Sequence, residues 1–568
     1  MQLGSEFASG VGSGLALGSE SDGSAAGVEL GDECDGVSAG DPHHTEARPL
    51  ASSSTDVELG VEFDSASAVA SSDAQAAKVQ AGGKRRPRGE VARRTKRACC
   101  TVEVGVVPTS CSATASSDVI PARVQARRPR GESARSTARY AETRVVARSM
   151  AEQFEWAYAA MCELATRFGE TAHRRLACRK WYVSTHFSGM GTVDVALAML
   201  KAASPAALRC TLRAEVVSSC ERSIALLALL GRRSDGCLFA NVFDRIENGE
   251  SMKAAGIEDA RVANTCACKK HFTECSIRTA VMEVAGSSCR PWSRMNRSLE
   301  HRGTAHPDYK AFLAWVRLMR HDSPPIIIHE NVVGFPLAIM QEQLGWMYDV
   351  TRLSVTPDDA GFGFISRPRI YDVLFRQGVV SAPSLQKVYG VLAMHLRKDV
   401  SAWPDWVWQA QPDELAAELN GRRRPDEAQE VDAWSTYLTQ QQQSYIVEYS
   451  ASWANLHGTD PADSTRCVFD LSVTPQFHGV RVDHALPTMR RRQASWWSPS
   501  RSRWMLPREK AACMGFSVYG DLARAARVPL DSETIEHVAG NAAPIGNAMH
   551  VANVGVVMLA AMFAAEWH

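Results

Sequence analysis

Apolar and polar positions along the chain fall into two rhythms, one ending near residue 180 and the other beginning there. From Ala151 to Lys180 apolar side chains recur at helical spacing, which predicts an amphipathic helix leading into the fold. Beyond it the texture alternates. Trp181–Phe187 predicts a strand, Ser188–Thr192 a turn, Val193–Lys201 a helix and Glu215–Ser219 a second strand. Further strands are predicted at Val281–Ala285, Pro325–His329 and Ile370–Phe375. Strands alternating with helices predict an α/β fold with a doubly wound sheet. From 377 to 505 the alternation is lost and Pro, Trp, Gln and Arg clusters appear, so a separate small module is expected there. The run Val551–Ala565 is wholly apolar except for Asn553, but is shorter than the roughly 20 residues of a bilayer span, and predicts a buried helix.

Composition changes the picture at the N-terminus. The first 145 or so residues are rich in Ala, Ser, Gly and acidic residues, then in Arg. They carry too little apolar surface to offset ordering entropy, so a disordered tail is expected. The chain as a whole balances 63 basic against 63 acidic residues, yet residues 1–75 hold 14 acidic and one basic, and residues 76–150 hold 17 basic and five acidic. Such blocks are solvated segments with electrostatic partners. Val79-Gln80-Ala81 with Arg85–Glu90 recurs as Val124-Gln125-Ala126 with Arg127–Glu132. This repeat reads either as a basic hook for phosphates or a nuclear import receptor, or as drift in a low-complexity tail. The 15 cysteines are odd in number and scattered, and the start MQLGSEFASG has no secretory pattern, so a reducing intracellular compartment is expected.

Candidate chemistry gathers at strand ends. The turn Phe187-Ser188-Gly189-Met190-Gly191-Thr192 follows the first strand, where glycine lets a ligand approach the main chain. It lacks the spacing of a dinucleotide site. Glu221 closes the second strand, placed to accept both hydroxyls of a ribose, so a nucleoside cofactor without a pyrophosphate fits better than a dinucleotide. Cys289, in the small-residue loop Gly286–Ser293 after the strand at 281–285, is a candidate nucleophile. Glu330 follows the most apolar strand and adds a carboxyl, and Arg367 and Arg369 add fixed positive charge.

In this order the motifs resemble those of the cytosine-5 DNA methyltransferases. The family's F-x-G-x-G matches Phe187–Gly191, its G-x-P-C-Q-x-x-S matches Gly286–Ser293, its E-N-V matches Glu330–Val332 and its Q-x-R-x-R matches Ile365–Arg369. Arg508–Phe516 resembles R-E-x-x-x-x-x-G-F, Ile545–Ala548 resembles the closing G-N-A-V, and Leu486-Pro487-Thr488 resembles a short motif at the end of the family's target-recognition module. The resemblance runs from about Trp181 to the C-terminus. It implies a Rossmann-like methyltransferase sheet at 149–376, a target-recognition module at 377–505 and returning motifs at 506–568, after a tail over 1–148. A C-terminal helix, about Ala542–Ala564, is expected to pack beside the cofactor.

The resemblance also implies S-adenosylmethionine as cofactor and DNA as partner, with Cys289 as nucleophile on carbon 6 of a flipped-out cytosine. Glu330 is expected at ring nitrogen 3, and Arg369, with Arg367 nearby, at the base carbonyl oxygen. Cofactor contacts are expected from Phe187, Ser188, Gly189, Gly191, Thr192, Glu221, Asn241, Val242 and Asn547. DNA contacts are expected from Arg490, Arg491, Arg492 and the Trp496-Trp497 pair, through phosphate contact and stacking or wedging. A monomer on DNA in the nucleus, with no membrane partner, completes the expectation.

Several positions depart from the family pattern. Ser288 replaces the proline before the nucleophile, which should loosen the loop. Arg290 replaces the glutamine after it, where a cation lowers a thiol pKa or binds a phosphate. Ile365 replaces the first glutamine of the arginine motif, and Asn241 stands where an aspartate is usual. Two alternatives stay open: a tRNA-directed relative, whose Cys-Phe-Thr signature is absent from the sequence, and a degenerate homologue that binds DNA without catalysis. The run Cys266-x-Cys268-x-x-His271-x-x-x-Cys275 has zinc-ligand residue types but lacks two separated knuckles, and no metal is assigned to it.

Overall fold

The computed structural model describes residues 145–293, 302–422, 434–475, 485–490, 495–539 and 543–568. The predicted tail lies outside these residues as far as residue 144. Residues 145–147 pair with Asp399, Ala147 N–H donating to its carbonyl at 2.9 Å, so the described fold begins slightly before the lead-in helix.

Seven strands form the central sheet: β1 (Trp181–His186), β2 (Ala214–Cys220), β3 (Cys237–Phe239), β4 (Met282–Ala285), β5 (Ile326–Val332), β6 (Tyr348–Val355) and β7 (Arg369–Arg376). Their order is β3-β2-β1-β4-β5-β7-β6, parallel except for β7, which runs antiparallel to both neighbours. The inner strands β4, β5 and β7 are buried along nearly their whole length because both faces are covered. Alternate residues divide between two cores. Val183, Met282, Val284, Ile326, Ile328, Tyr371 and Val373 face one; Ala285, Ile327, Ile370 and Leu374 face the other.

The first core is filled by α1 (Trp156–Phe168), α2 (Thr192–Leu208), α5 (Leu385–Leu396) and α6 (Val551–Ala564). The second is filled mainly by α4 (Tyr309–Asp322). Between β2 and β3 runs α3 (Ile224–Arg233). Every residue of α6 is buried, which accounts for its uniformly apolar sequence. Gly555 is required there by α1: a Cβ at that position would lie 2.1 Å from the Trp156 ring.

Three sequence expectations shift. The strand expected at 325–329 extends to Val332, so Glu330 and Asn331 lie within β5. The C-terminal helix breaks at Ala548–His550, leaving a short helix Ala543–Asn547 ahead of α6. The helix α5, inside the stretch expected to be a separate module, packs Leu385, Val388 and Leu392 into the first core. A third apolar cluster does form within that stretch and just past it, from Trp434, Tyr449, Trp453, Phe469, Trp497, Trp504 and Leu506. It includes a three-stranded sheet of Phe469–Asp470, Trp496–Ser498 and Arg503–Trp504.

Candidate active site

The strand order reverses direction between β1 and β4, and loops at the carboxyl ends of such strands form the ligand crevice of a doubly wound sheet. The turn after β1 and the Cys289 loop after β4 both lie there. Glu330 projects from the neighbouring β5, where it pairs across with Tyr371 of β7. One step diagonally, Arg369 Nε meets Glu330 Oε1 at 2.9 Å, in a pair that is nearly buried on both sides. The other oxygen, Oε2, faces Gly286, 3.5 Å from where a Cβ would stand. Burial raises the Cys289 thiol above its ordinary pKa; the positive charge of Arg369 opposes this, Glu330 adds to it, and Arg367 opposes it more weakly. Cys289, Glu330 and Arg369 thus share one electrostatic environment.

The loop that carries the thiol is fastened at its base. Ser287 Oγ lies 2.8 Å from His329 Nε2, and Asn331 Nδ2 donates to Ser287 Oγ at 3.1 Å and to its carbonyl at 3.3 Å. His329 is wholly buried, and burial, with Arg352 adding, pushes its pKa down to about 3, so it holds Ser287 as a neutral ring. Alternation along β5 therefore separates the work: Glu330 enters the crevice, while His329 and Asn331 hold the loop.

Ser288 does not leave the loop loose. Its hydroxyl donates to Asp308 Oδ2 at 2.6 Å, and the same oxygen lies 3.5 Å from Arg290 Nη1. The carboxylate just ahead of α4 thus ties down both residues flanking Cys289, doing by hydrogen bonding what proline does by ring closure. Arg290 is turned toward Asp308, and the cations that act most on the thiol are Arg369 and Arg367.

Arg367 requires a correction. Its buried guanidinium donates to the main-chain carbonyls of Met489 (3.1 Å), Gly546 (3.3 Å) and Ala548 (2.7 Å). It is a positioning residue that joins the entry to β7 to two distant segments, and is not aimed at a base. Ile365 fits the same seam: it is buried and forms a bridge with Leu486, whose N–H donates to the Phe364 carbonyl at 2.7 Å. Thr488 Oγ1 donates to the Ser366 carbonyl nearby. In the Arg508-Glu509 motif, Glu509 accepts from Arg503 at 2.8 and 2.9 Å and from the N–H groups of Leu506 and Ala410, which is structural work.

In the turn after β1, Phe187, Gly189 and Gly191 all have left-handed backbones, with φ of 56°, 57° and 70°. Glu221 accepts from Gly189 N–H through one oxygen and from Ser223 N–H through the other, both at 2.9 Å. Ile224, missed in the sequence, is 85% exposed at the start of α3 close to Glu221. Ser188 faces inward: its hydroxyl accepts from Cys220 N–H at 3.1 Å and stitches β1 to β2, so its side chain is not offered to a ligand. Thr192 is buried at the start of α2. Asn241 gives its amide to Glu250 at 2.5 Å and accepts from Phe243 N–H at 3.3 Å, so its side chain shapes the turn in which Val242 is buried. Asn547 is exposed beside Gly546, at the segment that Arg367 holds.

The expected DNA-contacting cluster also changes. Trp497 is only 4% exposed and packs edge-on against Trp504 at 5.2 Å, and Trp496 is fully buried, so neither is available to stack on or wedge into a duplex. Arg490 pairs with Asp470 at 2.6 Å and with Ser472 Oγ at 2.7 Å. Arg491 and Arg492 lie outside the described residues.

No protein-family model matches the chain, and no curated protein matches it. Among solved structures it is similar to the S. pombe Dnmt2 methyltransferase, with 16% identity, coverage of 67% of this chain and 98% of the other, and a TM-score of 0.32. It is also similar to a candidate DNA modification methyltransferase encoded within an E. coli prophage, with 13% identity, coverage of 66% and 98%, and a TM-score of 0.32. A Spodoptera frugiperda DNMT2 mutant is a third likeness, with 17% identity, coverage of 36% and 52%, and a TM-score of 0.23.

Proposed function

We propose that this chain transfers a methyl group from S-adenosylmethionine to carbon 5 of cytosine in DNA, through a covalent Cys289 adduct on a flipped-out base. The observation that carries the reading is the Glu330–Arg369 pair set against the loop of Cys289, with Glu330 Oε2 facing Gly286 and both charges acting on the thiol, next to the strand ends that carry Gly189 and Glu221. The turn fits the cofactor. A carboxylate has about four lone-pair positions, so Glu221 retains capacity for a ribose diol beyond its two N–H partners. The exposed Ile224 offers apolar surface to a flat adenine. When bound, S-adenosylmethionine would supply an electrophilic methyl group, with the neutral thioether S-adenosylhomocysteine as the leaving group.

The protein residues do the rest. The Cys289 thiol gives its proton to solvent, and the thiolate adds to carbon 6 and makes carbon 5 electron-rich. Glu330, with Oε1 held by Arg369, shares a proton between Oε2 and ring nitrogen 3, which the nitrogen gains on addition and returns on elimination, and Arg369 offsets the charge that develops on the base. After methylation the carbon 5 proton passes to solvent and the thiolate leaves carbon 6. Phosphate contacts would come from the basic segment between Lys84 and Arg148 and from Arg491 and Arg492. The test is transfer of labelled methyl from S-adenosylmethionine to duplex DNA and, in parallel, to tRNA, using the wild type and Cys289→Ala. Label on DNA cytosine that disappears in the variant supports the reading; label on tRNA alone overturns it.

A further inference from the structure

The strand β3 lies at one edge of the central sheet, and an edge strand presents unpaired main-chain groups. A short antiparallel hairpin, Thr265–Cys268 with Thr273–Ser276, covers it. Lys269 N–H donates to the Leu238 carbonyl at 2.7 Å, and Leu238 N–H donates to Cys268 Sγ at 3.3 Å. The hairpin turn carries His271 over three sulfur atoms. Its Nδ1 lies 3.3 Å from Cys275 Sγ, 3.4 Å from Cys268 Sγ and 3.8 Å from Cys237 Sγ. All four ligand atoms fall within 4.8 Å of one another.

Sequence spacing alone does not define this set. It points to Cys266, which instead sits in the second core, and it passes over Cys237, which comes from β3 itself. Four soft or borderline donors converging at one point is the donor chemistry of zinc. Zinc bonds of about 2.3 Å to sulfur and 2.0–2.1 Å to nitrogen, arranged tetrahedrally, put sulfur and nitrogen about 3.5 Å apart. The three observed separations bracket that value.

We infer that Cys237, Cys268, His271 and Cys275 form a closed zinc site that clamps the hairpin to the sheet edge. On binding, the three thiols release their protons to solvent, and His271 coordinates through Nδ1 while Nε2 keeps its proton. The resulting centre carries one net negative charge. Main-chain N–H groups of Leu238, Lys270 and His271 directed at Cys268 stabilise it. With all four positions taken by the protein the site is structural. It would fix the end of β3, where the Phe239 carbonyl accepts from Glu221 N–H at 3.1 Å.

The test uses the full chain purified without chelators, its zinc read by elemental mass spectrometry. One zinc per chain is expected. Cys237→Ser and Cys275→Ser should each lose zinc to a mild chelator, while Cys266→Ala should keep it. Cobalt(II) added to metal-stripped wild type should give thiolate charge-transfer bands and tetrahedral ligand-field absorption, a reading that does not depend on how the variants fold. Wild type without zinc and with an octahedral cobalt spectrum overturns the inference. So does a disulfide among the four residues, or zinc kept by Cys237→Ser and lost by Cys266→Ala. None of these readings depends on methyl transfer.

Discussion

Replacing Arg367 with methionine separates two roles that its neighbour Arg369 makes easy to confuse. The guanidinium of Arg367 serves three buried carbonyls, on Met489, Gly546 and Ala548. A buried acceptor left without its donor costs about 1–3 kcal/mol, so three give a nominal loss of several kcal/mol. Relaxation of the carbonyls, and release of the cost of burying a cation, pull the expected loss toward the low end, about 3 kcal/mol. With a urea dependence of about 1–3 kcal/mol per molar, the unfolding midpoint should fall by about 1 M or more. Arg367→Lys should recover only part of the loss, because an ammonium cannot span three carbonyls with fixed geometry. Cys289→Ala should leave the midpoint nearly unchanged. Fluorescence-detected urea unfolding of the three variants is the assay. If Arg367→Met unfolds like the wild type yet loses methyl transfer, the residue touches the substrate and the positioning role is wrong.

Asp308→Ala frees both residues flanking the nucleophile, and should slow single-turnover methyl transfer by about tenfold, equivalent to 1.4 kcal/mol of barrier, with little change in unfolding; equal rates would mean that the tether is unimportant. Because burial holds the Cys289 thiol above its ordinary pKa and Arg369 opposes this, alkylation of Cys289 should quicken as pH rises above the usual thiol range, and Arg369→Leu should move that profile to higher pH. Glu221→Ala and Ile224→Ser should each weaken S-adenosylmethionine binding in calorimetry, whereas Ser188→Ala should act on stability instead. His329 and His550 are both buried with pKa pushed down to about 3. Below the ordinary value of 6.5 the unfolded chain therefore takes up protons that the fold refuses, and stability measured by urea midpoints should fall as pH drops from 6.5 toward 3.

The inner strands β4, β5 and β7 were legible because they are buried on both faces and carry clusters of apolar residues. The strand β3 was not, being three residues long, and β6 was not, because Asp349 and Arg352 interrupt it at the sheet edge. The Cys289 loop and Glu330 were legible from small residues and a carboxyl at strand ends. Asp308 was invisible because its partners lie about twenty residues away and nothing in their pattern points to it. Arg367 and Arg369 look alike in sequence, but β7 begins only at Arg369, so the two need not share a face. The Trp496-Trp497 pair looked like an exposed wedge beside cations, yet both rings are buried. Composition does not distinguish an aromatic core from an aromatic surface.

The central claim rests on Cys289 bonding to a cytosine, and duplex DNA carrying 5-fluorocytosine tests it most directly. Fluorine at carbon 5 cannot leave as a proton does, so the adduct persists after methylation. Incubation with S-adenosylmethionine should give a protein–DNA species that survives denaturation and maps by peptide mass to Cys289, and Cys289→Ala should give none. A wild-type protein that methylates DNA without forming such a species, or that forms it through another residue, would contradict the account.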